Sequence, residues 1–481
     1  MNEQLQVDVA IIGGGTAGMS AYRAALLHTP SVLVIEGGPW GTTCARVGCM
    51  PSKLLIAAAE AAHSVAEAEG FGVRVAPAVI DGKAVMQRVR DERDRFVGFV
   101  TEAVDAWPAA HKLLGQARFI DDQTLAVTSA DGEQTTVKAR RIVIATGSSP
   151  TVPAAWRAAA GERLIVNDDV FAWHDLPASV AVLGAGVIAI ELAQALHRLG
   201  VRVRLYGRSA RLGPLTDPAL QAQTVRVLEP ELRITPNAAD LTLGRGGDGV
   251  TVQLGTDDVE RFDWVLASSG RKPNVDRLGL AATMLPLDPD GVPVYDHRTG
   301  QIGVSTVFIA GDAADDVPLL HEAADEGRIA GDNAGRFPDV RVRPRRAALA
   351  IAFSDPQIML AGQTHAELLR SDAAFETGAV SFADQGRSRV IRKNAGLLHV
   401  YGERETGKFL GAEMIGPAAE HLGHLLAWSV QRGDTVQQML DSPFYHPVIE
   451  EGLRTALRNL QRALRMGPVP VERCLDCGPG A

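Results

Sequence analysis

Cys44 and Cys49 stand five residues apart in Gly41-Thr42-Thr43-Cys44-Ala45-Arg46-Val47-Gly48-Cys49-Met50-Pro51-Ser52-Lys53. Two close cysteines are either small buried hydrophobes or a couple that opens and closes a disulfide. In an unbroken helix this spacing holds the Cα atoms about 8–9 Å apart, beyond disulfide reach. Cys44 is therefore expected on a distorted turn just ahead of a helix, which Gly41 and Gly48 would permit. A pair held in that way suits reversible redox chemistry better than a structural staple, and such chemistry needs an electron carrier.

The elements ahead of the pair supply a place for one. Val7 to Ile12 is an apolar run of strand length. It leads into Gly13-Gly14-Gly15-Thr16-Ala17-Gly18, a helix expected over about Met19–Leu27, and a second strand over Ser31–Ile35 that ends at Glu36. Glycines at 13, 15 and 18 let backbone approach a pyrophosphate at a helix N-terminus, and the acid at the end of the second strand is placed to accept from a ribose. Further on, Met50–Glu69 and Lys83–Trp107 read as helices, short strands surround Gly115-Gln116-Ala117, and Ile142 to Ala145 is a buried strand running into Thr146-Gly147.

The same pattern then repeats. Val180 to Leu183 is a strand, Gly184-Ala185-Gly186-Val187-Ile188-Ala189 a glycine turn, Glu191 to Leu199 a helix, and Val201 to Tyr206 the next strand. Gly207 falls at the same offset from Gly184 as Glu36 does from Gly13. Two dinucleotide units in one chain imply two dinucleotides and electron transfer between them. The second unit carries Ala189 for its third glycine and no carboxylate at Gly207; Arg208 follows, then Arg211. An acid there would repel a 2′-phosphate, whereas an arginine fork binds one, so NADPH is the expected nicotinamide, with NADH the alternative.

The thirteen-residue segment resembles the redox signature of the FAD-dependent pyridine nucleotide–disulfide oxidoreductases (class I), closest in pattern to dihydrolipoamide dehydrogenase and mercuric reductase. The resemblance runs along nearly the whole chain. It includes Ser269-Gly270-Arg271-Lys272-Pro273-Asn274, the strand Val307–Ile309 ending in Gly311-Asp312, Leu320 to Gly327, Phe353 to Gln357, and Pro443 to Glu451 as the last element. It implies an α/β fold of two Rossmann-like domains, for FAD and NAD(P), plus a C-terminal α+β dimerisation domain. The expected divisions are 1–150 and 276–345 for FAD, 151–275 for NAD(P), 346–465 for the interface, with two helices among its strands, and 466–481 as a flexible tail.

By the same resemblance, Cys44 is the interchange thiol and Cys49 the flavin-side thiol. Lys53 lies near the flavin and pairs with Glu191, and Val187 covers the ring. His446 and Glu451, five residues apart, form the acid–base pair that serves the other subunit of a homodimer. FAD contacts are implied for Gly13, Gly15, Gly18, Glu36, Thr43, Lys53, Ala117, Thr146, Gly147, Gly311 and Asp312. NAD(P) contacts are implied for Gly184, Gly186, Val187, Ala189, Glu191, Arg208, Arg211 and Gly270.

The function expected is transfer of electrons between NAD(P)H, FAD, the Cys44–Cys49 couple and a dithiol or disulfide substrate, free or carried on a lipoyl protein. Two other enzymatic readings stay open: an NADPH-dependent disulfide reductase, or a mercuric reductase-like enzyme, in which Cys474 and Cys477 act as a relay. A non-catalytic flavoprotein subunit that binds a lipoyl or carrier protein is the reading from another class. One C-x-x-C pair supplies only half of a structural zinc site, and no metal is expected.

Composition narrows the partners. The 481 residues carry a net charge of −9, with 46% hydrophobic and 22% charged residues, ordinary for a globular protein and unfavourable for nucleic acid or an anionic membrane. No run reaches the roughly 18 apolar residues of a membrane helix. Met1 leads almost directly into a strand, so a cytoplasmic protein is expected. The arginines of 341–346 are expected to be solvated.

Overall fold

The computed structural model describes residues 3–256 and 258–467. Cys474 and Cys477 lie outside the described residues. Two largely parallel sheets and one antiparallel sheet organise the chain.

In the first sheet, Lys112–Leu114, Val32–Glu36, Glu3–Ile12 and Gln134–Ile144 run parallel in that order. The far edge of Gln134–Ile144 is shared. Thr124–Thr128 pairs antiparallel with its first half, and Val307–Ile309 pairs parallel with its last three residues. The chain thus leaves this sheet at Ile144 and returns to it at Val307 by way of an antiparallel ribbon of Ser148–Pro150 with Arg271–Pro273. Between those points stands a second, all-parallel sheet of Ile234–Thr235, Arg202–Tyr206, Ser179–Leu183, Trp264–Ala267 and Leu164–Val166. Its central strands Ser179–Leu183 and Trp264–Ala267 are near-continuous apolar runs, as expected of strands covered on both faces.

The glycine-turn helices begin earlier than periodicity alone suggests, at Thr16–Ala25 and Val187–Arg198, because each starts directly from its glycine turn. Gly13 has φ +106°, and a Cβ there would stand 2.3 Å from the Ala145 carbonyl oxygen. Gly184 repeats this with φ +134° and a Cβ 2.1 Å from the Ser268 oxygen. Only glycine fits either turn.

Thr16–Ala25 packs backbone to backbone on Leu320–Arg336. Cβ atoms at Gly327 and Gly331 would stand 2.1 and 2.2 Å from the carbonyl oxygens of Ala17 and Ala21. Gly331→Val should therefore destabilise the protein by about 3 kcal/mol or more, the upper range for overpacking. An unchanged melting temperature by circular dichroism would show that the two helices can part freely.

Of the arginines of 341–346, Arg341 and Arg346 are solvated as expected, with 57% and 65% of their side chains exposed, whereas Arg343 and Arg345 are partly buried. Leu320–Arg336 buries Glu322, Asp325, Glu326 and Asp332. Arg343 pairs with Asp332 at 3.0 Å, Arg345 with Glu326 at 2.8 Å and with Glu322, and Arg346 with Asp325 at 3.4 Å. Buried carboxylates need such partners, and the segment just ahead of the third sheet supplies them.

That third sheet is antiparallel, in the order Leu349–Ala352, Gln357–Gly362, Phe409–Gly416, Leu397–Glu403, Phe375–Ser381. Five helices accompany it rather than two: His365–Arg370, Gly386–Val390, Ala419–Arg432, Val436–Leu440 and Glu450–Leu464. The stretch from Pro443 to Ile449 is the loop that feeds Glu450–Leu464, which is the last described element. Glu413, fully buried on Phe409–Gly416, accepts from the N–H groups of Thr216, Asp217 and His365 and from the Thr216 hydroxyl. One carboxylate thereby ties the loop after the Arg202–Tyr206 strand to the antiparallel sheet. No described helix is long and apolar enough to cross a membrane.

Candidate active site

Cys44 does not sit on an irregular turn. It lies within a short helix, Thr43–Val47, whose N-cap Thr42 hydroxyl accepts from the Ala45 N–H at 3.1 Å. Gly48, at φ −126° and ψ −113°, breaks the backbone, and a new helix begins at Cys49 and runs to Glu67. The break lets two cysteines five residues apart face each other, which an unbroken helix forbids.

The two thiols are free and hydrogen-bonded to each other. The bond donated by Cys44 draws the Cys49 thiol down to about 7, against burial and with help from the Lys53 ammonium. The same bond, with burial, pushes Cys44 up. Cys49 is therefore the thiolate of the pair near neutrality, and Cys44 the thiol that needs a base.

Lys53, one helical turn beyond Cys49, donates to Glu191 Oε2 at 2.7 Å and lies 4.6 Å from the centre of the Phe353 ring. Glu191 is buried, and its other oxygen accepts from the Phe353 N–H at 2.7 Å. This pair joins the cysteine helix, the second glycine-turn helix and the start of the antiparallel sheet.

Both cysteines line a cavity of about 710 Å³. The first unit's Gly13, Gly15 and Glu36 line it, as do Thr43, Ala117, Thr146, Gly147, Val187, Gly311 and Asp312. Glu36 accepts from the Gly14 N–H at 2.6 Å and the Gly38 N–H at 2.7 Å. Asp312 accepts from the Ser148 hydroxyl at 2.7 Å, and Ser148 Oγ in turn accepts from Arg271 Nε at 2.8 Å.

These walls fit an FAD. Nothing stands within 4 Å of where a Gly15 Cβ would be, so the helix N-terminus is open to a diphosphate. The Thr146 hydroxyl oxygen is buried without a protein hydrogen-bond partner and belongs to a residue of the cavity wall.

Gly18 does not line the cavity; it sets the turn, since a Cβ there would stand 1.8 Å from the Gly13 oxygen. In the second unit, Gly186 is equally open at its helix N-terminus, and Ala189 is buried where the first unit has Gly18. Gly270 also has open space around it. Arg208 and Arg211 are exposed beyond the Arg202–Tyr206 strand, and Arg211 Nη2 donates to the Pro214 carbonyl at 2.8 Å.

Sequence reasoning passed over Arg271, Ser148 and Arg46. Arg271 and Ser148 secure Asp312, and Arg46, which falls between the two cysteines in sequence, lines the cavity. Arg271 lies inside the Ser269–Asn274 motif, but no local pattern pairs it with Ser148, 123 residues away.

His446 and Glu451 lie apart from this chain's cavity wall. His446 Nδ1 is 3.0 and 3.2 Å from the two Glu451 oxygens. Glu451 is buried at 2% exposure and also accepts from Arg454 at 3.0 Å and from the Val448 N–H at 3.3 Å. A carboxylate held on Nδ1 fixes the orientation of the ring, and the His446 side chain is 56% exposed.

Residues 7–327 match the family described as pyridine nucleotide-disulphide oxidoreductase, and residues 349–457 match its dimerisation domain. A mercuric reductase from Shigella flexneri is 30% identical over 95% of this chain and 81% of its own length. A dihydrolipoyl dehydrogenase from Pseudomonas aeruginosa is 30% identical over 97% of this chain and 100% of its own. In fold, the chain resembles LpdA of Mycobacterium tuberculosis with a TM-score of 0.81 at 24% identity, covering 96% of this chain and 100% of that one. The HOCl-induced flavoprotein disulfide reductase RclA of Escherichia coli gives a TM-score of 0.79 at 21% identity, covering 94% of this chain and 99% of that one. With a nucleotide turn and a free thiol pair on one cavity, the chain belongs to the pyridine nucleotide–disulphide oxidoreductases, and is an FAD-dependent NAD(P)H:disulfide oxidoreductase with a C-terminal dimerisation domain.

Proposed function

We propose that the enzyme moves electrons between NADPH and a small dithiol or disulfide substrate, free or lipoyl-borne, through Cys44 and Cys49, as a homodimer whose sites are shared. The observation that carries this reading is the Cys44–Cys49 pair, with Cys49 drawn down to about 7, on the same cavity as the Gly13 turn.

Bound FAD supplies two-electron exchange between a nicotinamide and the thiol pair. The protein's own groups do the rest. With both thiols reduced, the partner subunit's His446 takes the Cys44 proton, and the resulting Cys44 thiolate attacks one sulfur of the substrate disulfide. The substrate S–S bond breaks, and the leaving thiolate takes a proton from the partner subunit's His446. The Cys49 thiolate then attacks the Cys44 sulfur of the mixed disulfide, releasing the second substrate thiolate, which takes its proton from solvent. The Cys44–Cys49 bond forms, and the substrate has gained two electrons and two protons. Each step runs backwards with a dithiol substrate. Glu451 holds the imidazole's orientation and supports its charged form. Lys53, paired with Glu191, keeps a positive charge beside Cys49. Val187 keeps water from the cavity wall.

The homodimer is supported by the dimerisation-domain match and by the outward Trp428, 56% exposed on Ala419–Arg432. The described elements also support the division into 1–150 with 276–345, 151–275 and 346–465: the two parallel sheets and the antiparallel sheet fall within them.

NADPH is favoured by Gly207, whose backbone N–H donates to Thr235, and by the exposed Arg208 and Arg211 beyond it. Arg208→Glu should weaken NADPH by roughly 1.5–3 kcal/mol, the scale of one charge-assisted hydrogen bond, and leave NADH little changed. Steady-state kinetics with both nucleotides tests this; equal efficiency of the wild type with NADH would overturn the preference. Assay of the full chain against lipoamide, glutathione disulfide, a small aromatic disulfide and Hg(II) tests the substrate class. Activity with Hg(II) alone would favour the mercuric reductase reading.

A further inference from the structure

Arg345 lies in the strap between Leu320–Arg336 and the first strand of the antiparallel sheet, outside every motif of the family pattern. Its guanidinium bridges two buried carboxylates, Glu326 at 2.8 Å and Glu322. The other oxygen of Glu326 accepts the Gly311 N–H at 2.7 Å. Gly311 opens the turn Gly311–Ala314, and both it and Asp312 line the cavity. That turn has little slack. Gly311 has φ +72°, a Cβ there would stand 2.9 Å from the Ala17 Cβ, and Asp312 is fixed on its far side by Ser148. A chain of three contacts therefore runs from the strap to the cavity wall.

We infer that Arg345 is a positioning residue for FAD: by gripping Glu326 it holds the carboxylate under the Gly311 N–H and so fixes the Gly311–Asp312 turn against the cofactor. Arg345 is the one cation that pairs with Glu326 among the described residues, and the Glu326 side chain is only 5% exposed. Burial pushes that carboxyl up, and the guanidinium is the chief opposing influence. A buried carboxylate stripped of its partner either takes a proton or turns toward water. In both cases the charge-assisted acceptor of the Gly311 N–H weakens, and the turn is freed. The strap that begins the antiparallel sheet would thus set how firmly flavin is held.

This rests on FAD occupying the cavity, so the wild type is tested first. Its apoprotein is titrated with FAD, following flavin fluorescence, and wild-type protein that takes up no FAD would fail that underlying reading. Arg345→Gln should raise the FAD dissociation constant by about tenfold or more, the scale of one charged hydrogen bond. Arg345→Gln with Glu326→Gln should recover most of the loss, because glutamine presents a neutral oxygen to the Gly311 N–H and needs no cation. Arg343→Gln, which breaks the pair with Asp332 on the same helix, should leave the constant unchanged. Should Arg345→Gln fail to fold, Arg345→Lys, which keeps the charge but can reach one carboxylate only, should show a smaller rise. An unchanged constant in Arg345→Gln, or in Arg345→Lys where that is the variant measured, overturns the inference. So does an Arg343→Gln loss as large as that of Arg345→Gln, or a double variant no better than the single one.

Discussion

Cys44→Ser should abolish disulfide turnover, by about four orders of magnitude or more, while FAD stays bound, because it removes the sulfur that bonds to substrate and leaves the cavity wall otherwise intact. Cys49→Ser should be equally inactive but spectroscopically different. In wild type, two-electron reduction should bring up long-wavelength charge-transfer absorbance from a thiolate beside the flavin. Because the Cys49 thiol is drawn down to about 7, that band should fade as the pH drops through 7 and the thiolate takes up a proton. Cys44→Ser should keep a thiolate at 49; Cys49→Ser should show no band at any pH. A band that survives in Cys49→Ser would reverse the two assignments.

The second large effect concerns the shared site. His446→Gln should lose about two to four orders of magnitude in disulfide turnover, the usual worth of a positioned acid–base group. Two inactive variants should rescue each other. If the partner subunit's His446 serves Cys44, coexpression of Cys44→Ser and His446→Gln chains gives mixed dimers in which one of two sites has both residues intact. Random pairing then restores roughly a quarter of wild-type sites. Activity no greater than that of either variant alone would place both residues of a working site on one chain.

Much of this was legible because it is local. The Gly13 and Gly184 turns, with the strand before and the helix after, are set by neighbours in sequence, and the positive φ angles at both glycines follow from the close strand behind them. His446 and Glu451 are five residues apart, and the family resemblance is what pairs them. Lys53 and Glu191 are 138 residues apart, and only the family resemblance could pair them. What stayed hidden depends on distant backbone. The helical break at Gly48 could not be told from a loose turn, since both permit the cysteines to meet. Arg345 looked like one solvated charge among several because its acid Glu326 lies 19 residues back on another element. A buried charge declares itself only when its surroundings are assembled.

The two parallel sheets invite recombination, in which a nucleotide module of one preference is exchanged for another. Glu413 sets a condition on such grafts. It belongs to the antiparallel sheet, yet three of the four groups it satisfies belong to Thr216 and Asp217 of the module that would be replaced. An incoming module without donors at that seam would leave a fully buried carboxylate short of partners, at a cost comparable to breaking a buried pair. The natural cutting points for engineering are therefore not the sheet boundaries alone. The loop from Gly213 to Asp217 and the Glu413 strand must travel together or be redesigned together.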